Sequence, residues 1–427
     1  METPDLRTAV LDDLEWRRMI ADHTDLDALR AAMAAGPVTF YGGFDPTAPS
    51  LHFGNLVLLV TMRRLQLAGH RPIGLVGGAT GLVGDPSGRS SERALQERDV
   101  IEGWVDRIRT QVERYLSFEG SNAAVIVNNL DWTAEMSAID WLRDVGKHFS
   151  VSRMLAKEAV SARLEAGGIS YTEFSYQVMQ ALDFLELCRR HGCTLQLGGS
   201  DQWGNLTAGV DLIRRVEGAT AHTLATPLIT RPDGEKFGKS TGSTLYLDPA
   251  LTSPFAFYQW FVNTDDSMVG TYLRVFSFRS RSEIEELEAS ALARPDAREA
   301  QRALALEVTG LVHGTDAAAG AAEASHALFG QGELTSLDAA TLEAAFAGLP
   351  RANVGDPMPS VLDLLVASGL SESRGQARRV LSDGGAYVNN ERVIDAAAVP
   401  DRADLLAGRW LLLRRGKRNL AVVEVEG

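Results

Sequence analysis

The chain has 427 residues, of which 45% are hydrophobic and 23% are charged. This is ordinary globular composition with room for two to four domains, and it excludes disorder as the main state of the chain. The 42 basic and 56 acidic residues leave a formal charge of −14. That charge argues against a general nucleic-acid coat but not against a local binding patch.

The chain carries no sign of membrane insertion or secretion. No apolar run approaches the roughly 18 residues that a membrane span needs, and the acidic N-terminus lacks the basic region and apolar core of a signal peptide. Two cysteines, Cys188 and Cys193, are too few for a disulfide framework or a four-ligand zinc site. We therefore expect a cytoplasmic protein without a metal site, in which both cysteines are small buried hydrophobes.

Apolar runs alternate with helical patterns over the first 245 residues. Strands are predicted over 37–45, from Arg71, and over 123–129 and 194–201, with helices over 54–70 and 91–116 between them. This alternation predicts an α/β fold with a doubly wound parallel sheet. In such a sheet ligands bind beyond the carboxyl ends of the strands, where the glycine-rich segments FYGGFDPT, GGATGLVGDPSG and LGGSDQWGN all fall.

The segment HFGN (52–55) follows the first predicted strand and opens a helix. A helix N-terminus presents free N–H groups, so an imidazole and a glycine there can cradle a phosphate. A histidine at this position is also an ordinary cap or packing residue. HFGN alone therefore leaves both interpretations open.

The segment KFGKS (236–240) holds two of only five lysines in the chain. Lysines bind phosphate as movable point charges, and glycines allow a loop to close over a ligand. A solvated turn remains the alternative.

Other kinds of site are not indicated by the sequence. The spacing of GGATGLVGDPSG does not fit a dinucleotide fingerprint, and the sequence contains no nucleophile elbow or metal-ligand spacing.

Three polar residues fall on one face of the predicted helix over 171–188. Tyr176, Gln180 and Asp183 are separated by four and three positions. They can hydrogen-bond a small polar ligand, although a solvent-facing stripe has the same spacing.

The pattern after residue 245 indicates further domains. We expect a helical domain over 246–335, a linker over 336–357 and a small α+β module over 358–427. The last 77 residues carry 11 basic and 10 acidic residues, whereas the preceding 350 carry a net charge of −15. The C-terminal module is therefore the part of the chain best suited to a polyanion.

Taken in order, these motifs resemble those of class I aminoacyl-tRNA synthetases, and most closely those of bacterial tyrosyl-tRNA synthetases. The resemblance rests on YGGFDPTAPSLHFGN, GGATGLVGDPSG, YTEFSYQVMQALDF, GGSDQWGN and KFGKS, and it covers nearly the whole chain. It implies a Rossmann-like catalytic domain over 1–245 with HFGN and KFGKS as its signature motifs. The C-terminal module resembles a ribosomal-protein RNA-binding module.

The resemblance also implies roles for individual residues. Tyr41 and Asp183 would contact the phenol hydroxyl of tyrosine, Asp85, Tyr176 and Gln180 its amino group, and Gln202 its carboxylate, with Gly43 and Asp45 in the same pocket. Thr47, His52, Lys236 and Lys239 would be catalytic. ATP would be held by Gly54, Asn55, Gly199, Asp201 and Ser240 together with the two lysines. Transfer RNA would contact Arg374, Arg378, Arg379, Arg414, Arg415, Lys417 and Arg418.

The implied activity is tyrosine activation by Mg-ATP, followed by transfer to the 3′-terminal adenosine of tRNA(Tyr). Mg-ATP is a substrate in this scheme, no tightly bound cofactor is implied, and a homodimer is expected. Two residues depart from the family pattern: Asn55 replaces the final histidine of the first motif, and Arg89 stands where lysine is common. The alternatives are a tryptophanyl-type synthetase and a catalytically idle RNA-binding protein on a synthetase scaffold.

Overall fold

A computed structural model of the chain describes residues 5–87, 96–165, 167–230, 244–328, 332–355, 357–416 and 419–425. These residues form two compact units. The first contains residues 1–251 and 265–289, and the second contains 252–264 and 290–427.

The first unit is built on a six-stranded sheet. Its strands are β1 (Asp22–His23), β2 (Thr39–Phe44), β3 (Arg71–Val76), β4 (Val125–Asn128), β5 (Cys193–Gly199) and β6 (His222–Thr226). Their order is β1-β6-β5-β2-β3-β4, in which β2 to β6 are parallel and β1 pairs antiparallel with β6. The predicted α/β parallel sheet is therefore confirmed, with β1 and β6 as strands that the sequence patterns did not indicate.

Helices connect these strands, as expected for parallel neighbours. Those before β5 are α1 (Leu6–Trp16), α2 (Leu26–Ala35), α3 (Phe53–Leu67), α4 (Gly78–Val83), α5 (Arg98–Glu113), α6 (Leu130–Thr133), α7 (Ala138–Asp140), α8 (Val151–Leu155), α9 (Glu158–Glu165) and α10 (Tyr171–His191). They are followed by α11 (Trp203–Val216), α12 (Pro254–Val262), α13 (Asp266–Phe276), α14 (Arg281–Ala293), α15 (Glu299–His313) and α16 (Thr315–Leu328).

The strand order reverses between β2 and β5. The chain runs from β2 to β3 and β4 on one side of β2, and β5 and β6 lie on the other side. The carboxyl ends of β2 and β5 therefore flank a crevice at the topological switch point, where ligands of such sheets bind.

The second unit ends in a small α+β module. Its helices are α17 (Ala339–Phe346), α18 (Val361–Ala367) and α19 (Arg374–Ser382), and its strands are β7 (Arg351–Val354), β8 (Ala386–Val388), β9 (Glu391–Val393), β10 (Trp410–Arg415) and β11 (Asn419–Val425). The strand order is β7-β11-β10-β8-β9. Leu365, Ala377, Leu411 and Val423 lie in its buried core.

The predicted linker over 336–357 is wrong for most of its length. It contains α17 and β7, and β7 pairs in parallel with β11. Phe346 of α17 packs against Trp410 with ring centroids 6.0 Å apart. The prolines at 350, 357 and 359 flank β7 rather than interrupt it, because proline is tolerated at the ends of an edge strand.

The predicted helical domain over 246–335 is divided between the two units. Helix α13 and most of α14 belong to the first unit, and α12, α15 and α16 to the second. Two buried arginines of the first unit bind the end of α13: Arg17 Nη1 donates to Ser277 O at 2.9 Å, and Arg64 Nη2 donates to the same oxygen at 2.5 Å. Such long-range side-chain bonds leave no periodic signal in the sequence.

Among the helices of the described residues, none is long and apolar enough to cross a membrane.

Candidate active site

A cavity of about 360 Å³ lies at the carboxyl ends of β2 and β5. All the described residues predicted to bind tyrosine or ATP line it: Tyr41, Gly43, Asp45, Thr47, His52, Gly54, Asn55, Asp85, Tyr176, Gln180, Asp183, Gly199, Asp201 and Gln202. Lys236, Lys239 and Ser240 lie outside the described residues.

Strand β2 brings Tyr41 to the floor of the cavity. The Tyr41 ring packs against Phe184 of α10 with centroids 5.4 Å apart. The next residue is Gly42, and a Cβ atom there would lie 2.6 Å from Met62 Sδ of α3, so a larger residue would have to displace the Met62 side chain. Strand β2 and helix α3 therefore lie close together beside Tyr41.

Asp183 is a buried carboxylate held by two donors. Asn129 Nδ2 donates to its Oδ2 at 3.0 Å, and Trp132 Nε1 donates to its Oδ1 at 2.9 Å. Burial raises the pKa of Asp183 to about 7, against the opposing effect of these two hydrogen bonds. Each oxygen of a carboxylate has a further lone pair, so Asp183 can also accept a hydrogen bond from a ligand in the cavity.

Tyr41 and Gln196 bring buried polar atoms to the same cavity. Among the described residues, Tyr41 Oη and Gln196 Oε1 make no hydrogen bond of normal geometry, although the Gln196 side chain lies close enough to lower the pKa of Tyr41 against the larger effect of burial. The two residues lie opposite each other in the β2–β5 pair. Burial raises the pKa of Tyr41 well above its usual range, with the nearby Asp183 charge as a second cause. Tyr41 is therefore neutral and can donate to a ligand oxygen.

Asp45 organises the opposite wall of the cavity. Its Oδ1 accepts from Thr80 Oγ1 at 2.7 Å, and its Oδ2 accepts from Tyr176 Oη at 2.6 Å. Burial and the neighbouring carboxylate of Asp45 raise the pKa of Tyr176. Gly77 makes this arrangement possible, because a Cβ atom there would lie 2.1 Å from Asp45 Oδ1.

A third carboxylate, Asp85, is oriented by the segment that follows β5. Gln202 Nε2 donates to Asp85 Oδ2 at 2.7 Å, and Asn205 Nδ2 donates to Gln202 Oε1 at 2.9 Å. The backbone N–H of Ser87 donates to Asp85 Oδ1 at 2.9 Å. Together with Tyr176 and Gln180, these acceptors can surround a cationic group of a ligand.

HFGN forms a capped helix start in which His52 is the N-cap of α3. His52 Nδ1 accepts from Gly54 N at 3.0 Å, while Asn55 Oδ1 accepts from His52 N at 3.0 Å. A Cβ atom on Gly54 would lie 2.8 Å from His52 Cε1, so any other residue there would have to displace the His52 ring. Asn55, the departure from the family motif, thus completes a capping box.

The His52 ring serves as both cap and polar donor. Burial lowers its pKa, so the ring is neutral near pH 7. Because Nδ1 accepts a hydrogen bond, the proton is assigned to Nε2. The cap and phosphate interpretations of the sequence are therefore compatible, since the capped ring still offers one N–H.

Four polar residues of this site were missed by the sequence analysis: Thr80, Asn129, Trp132 and Gln196. Asn129 links Thr80 to Asp183, because its Nδ2 donates to both Thr80 Oγ1 and Asp183 Oδ2 at 3.0 Å. The sequence did contain a signal for Asn129: Asn128 and Asn129 follow the apolar run of β4, so they stand at the carboxyl edge of the sheet, where ligands bind.

The basic residues predicted to contact tRNA lie in the second unit. Arg378 and Arg379 are exposed on α19, and Arg374 forms an ion pair with Asp363. Arg414 stacks on Tyr387 with its Cζ 3.7 Å from the ring centroid, and Arg415 is half-buried. Lys417 and Arg418 lie outside the described residues.

The described part of the chain contains no cluster of three or more histidine, cysteine, aspartate or glutamate side chains able to hold a metal ion. Cys193 is buried, as predicted, and Cys188 is half-buried.

Two family models match the chain. The model for tRNA synthetases class I (W and Y) matches residues 33–330, and the model for the tyrosine–tRNA ligase SYY-like C-terminal domain matches residues 341–423. The second match begins near α17, as does the structured segment that replaces the predicted linker.

The chain is similar over nearly its whole length to named proteins. It is 61% identical to a tyrosine–tRNA ligase of Streptomyces avermitilis and 60% identical to one of Streptomyces coelicolor, with 98% of this chain and 100% of each relative covered. Among solved structures, a C-terminally truncated mitochondrial tyrosyl-tRNA synthetase of Aspergillus nidulans is 31% identical with a TM-score of 0.69, covering 75% of this chain and 94% of that one. These likenesses do not favour the tryptophanyl-type or idle alternatives. The chain belongs to the tyrosine–tRNA ligase family of class I tRNA synthetases.

Proposed function

We propose that this chain activates L-tyrosine with ATP and transfers the tyrosyl group to tRNA(Tyr), with the phenol hydroxyl bound between Tyr41 and Asp183. The observation that carries the proposal is the pair of polar groups at the cavity floor. Asp183 offers an acceptor and the neutral Tyr41 hydroxyl a donor, both almost fully buried. A phenol hydroxyl satisfies both, because it donates one hydrogen bond and accepts another.

The amino group of tyrosine is assigned to the wall formed by Asp85, Tyr176 and Gln180. Carboxylate, phenol and amide oxygens suit an ammonium group, and Asp45 with Gly43 shapes the space beside it. Gln202 is assigned to the carboxylate end. In this proposal different residues of one cavity bind the phenol hydroxyl, the amino group and the carboxylate of the substrate.

ATP is assigned to the mouth of the cavity. The Nε2–H of His52 can donate to a phosphate oxygen at the N-terminus of α3, where the helix dipole favours an anion. The N–H groups of Phe53, Gly54 and Asn55 already donate within the chain. Thr47 is assigned to the leaving phosphates, and Gly199 and Asp201 to the ribose. Lys236, Lys239 and Ser240 of KFGKS stay a sequence-based prediction for the phosphates.

The first chemical step needs no protein nucleophile. A carboxylate oxygen of tyrosine attacks the α-phosphorus of Mg-ATP, the bond to the bridging oxygen breaks, and pyrophosphate leaves with the electron pair. The protein contributes position and charge stabilisation. In the second step the terminal 2′-hydroxyl of tRNA attacks the acyl carbon, AMP leaves, and the hydroxyl proton is released.

The C-terminal module, with Arg374, Arg378, Arg379, Arg414 and Arg415, is proposed to bind the tRNA. Its near-neutral charge relieves the repulsion that the acidic remainder of the chain exerts on a polyanion.

A homodimer is proposed from an apolar stretch of the first unit. Ile139, Leu142, Val151 and Leu164 are each between 45% and 68% exposed. They fall within one stretch of the chain, and exposed apolar surface is a feature of protein interfaces. Leu142→Asp is expected to shift the protein from dimer to monomer in sedimentation velocity.

Pyrophosphate exchange into ATP tests the catalytic proposal. Exchange should depend on tyrosine and should not be supported by tryptophan or phenylalanine at equal concentration. An absence of exchange would favour an idle RNA-binding protein, and exchange supported by tryptophan would favour a tryptophanyl-type enzyme.

A further inference from the structure

At the start of helix α10, Glu173 does not make the capping hydrogen bond that the local sequence predicts. Ser170 and Glu173 have the spacing of a capping box, and Ser170 Oγ accepts from Glu173 N at 3.2 Å. In a full capping box the glutamate would reach back to the Ser170 N–H. Instead, Glu173 Oε2 accepts from Arg163 Nη2 of α9 at 2.9 Å.

This ion pair is almost completely buried. The Arg163 side chain is 6% exposed and that of Glu173 is 2% exposed. Removing two charges from water costs much of what their attraction returns, so a buried pair adds little net stability over apolar side chains of similar size. The pair therefore calls for an explanation other than stability.

The pair lies one turn before the substrate-facing part of α10. Tyr176 and Gln180 follow Glu173 by three and seven positions, and both line the cavity. Tyr176 Oη also donates to Asp45 at 2.6 Å. Further along the helix, Asp183 is held by Asn129 and Trp132. Helix α10 is thus fixed on both sides of its cavity-facing residues.

We propose that Arg163, acting through Glu173, is a positioning residue for the amino-group side of the tyrosine pocket. The inference rests on the proposed function, because it assumes that Tyr176 and Gln180 contact the amino group. The pair holds the first turns of α10 so that these two side chains meet the ligand in the correct orientation.

Three variants test the proposal. Arg163→Met removes one partner, and Arg163→Met with Glu173→Leu replaces the pair by apolar side chains. Arg189→Met is the matched control, because Arg189 forms an exposed ion pair with Glu217, with 2.7 Å between Nε and Oε1, at the far end of the same helix.

The readout is the binding preference for L-tyrosine over 3-(4-hydroxyphenyl)propionate, which lacks the amino group, together with the unfolding temperature. In both Arg163 variants we expect the Kd for tyrosine to rise about tenfold, while that for the analogue stays within about twofold. The single variant should unfold at a lower temperature than wild type, and the double variant near wild type. The control should keep the wild-type preference.

Three results would overturn the proposal: an unchanged preference in the folded double variant, an equal loss of affinity for both ligands, or a double variant that does not fold. The last would show that the fold itself requires the pair. A wild-type protein that binds neither ligand would instead contradict the proposed function, and this inference with it.

Discussion

The indole N–H of Trp132 donates to Oδ1 of Asp183 across 51 positions of the chain, with 2.9 Å between the two atoms. Trp132 follows β4 and Asp183 lies in the middle of α10, so the bond forms only when the sheet and helix have packed. It supplies one of the two hydrogen bonds that oppose the effect of burial on the pKa of the Asp183 carboxyl.

Asp183→Ala should weaken tyrosine use and reduce discrimination against phenylalanine. Removing a buried hydrogen-bond partner costs about 1–3 kcal/mol, or about 5- to 150-fold in kcat/KM. Exchange assays with both amino acids measure the ratio. An unchanged ratio would mean that Asp183 does not contact the phenol hydroxyl.

Use of tyrosine should depend on pH through Asp183. Its pKa of about 7 means that the ligand-free carboxyl becomes protonated as the pH falls below neutrality. A charged acceptor forms the stronger hydrogen bond with a phenol, so kcat/KM for tyrosine should fall as the pH drops through about 7. Asp183→Asn should lack this inflection, and a variant that keeps it would assign it to another group.

The same pKa makes a prediction for stability. A carboxyl whose pKa rises on folding from 3.8 to about 7 favours the folded state in its protonated form. Its contribution is full below about pH 4 and disappears as the pH rises through about 7. Asp183→Asn has no carboxyl to titrate, so only the wild type loses this contribution as the pH rises. Between pH 4 and pH 8 the free energy of unfolding of Asp183→Asn should therefore increase by roughly a few kcal/mol relative to that of the wild type. Urea unfolding at the two pH values measures this difference.

Trp132→Phe should raise the pKa of Asp183 further, because it keeps the aromatic ring but removes one donor to the carboxylate. The pH inflection in kcat/KM for tyrosine should move upward, and the KM for tyrosine should rise at pH 7. Trp104→Phe on α5 is the control, since Trp104 does not line the cavity. An unmoved inflection in Trp132→Phe would contradict the role of the Trp132 hydrogen bond.

The sequence predicted the site through local patterns and missed what depends on distant contacts. Tyr41, His52 and Tyr176 stand in recognisable segments, so their convergence at the strand ends could be expected. Asn129 and Trp132 act on Asp183 from more than 50 positions away, and no periodicity reports that distance. In the same way, β7 was mistaken for a linker because its pairing partner β11 lies about 70 residues later.

The final prediction concerns the exposed arginines of α19. Arg378→Ala with Arg379→Ala should weaken tRNA binding and lower the slope of log Kobs against log salt by about one for each arginine–phosphate interaction that the substitutions remove. Tyrosine-dependent pyrophosphate exchange should be unchanged, because both residues lie outside the catalytic unit. Arg294→Ala with Arg302→Ala removes two exposed arginines elsewhere in the second unit and serves as the charge-matched control. Binding isotherms at three or more salt concentrations give the slopes. Equal slopes for the two double variants would mean that the weaker binding reflects overall charge and that α19 does not contact tRNA specifically.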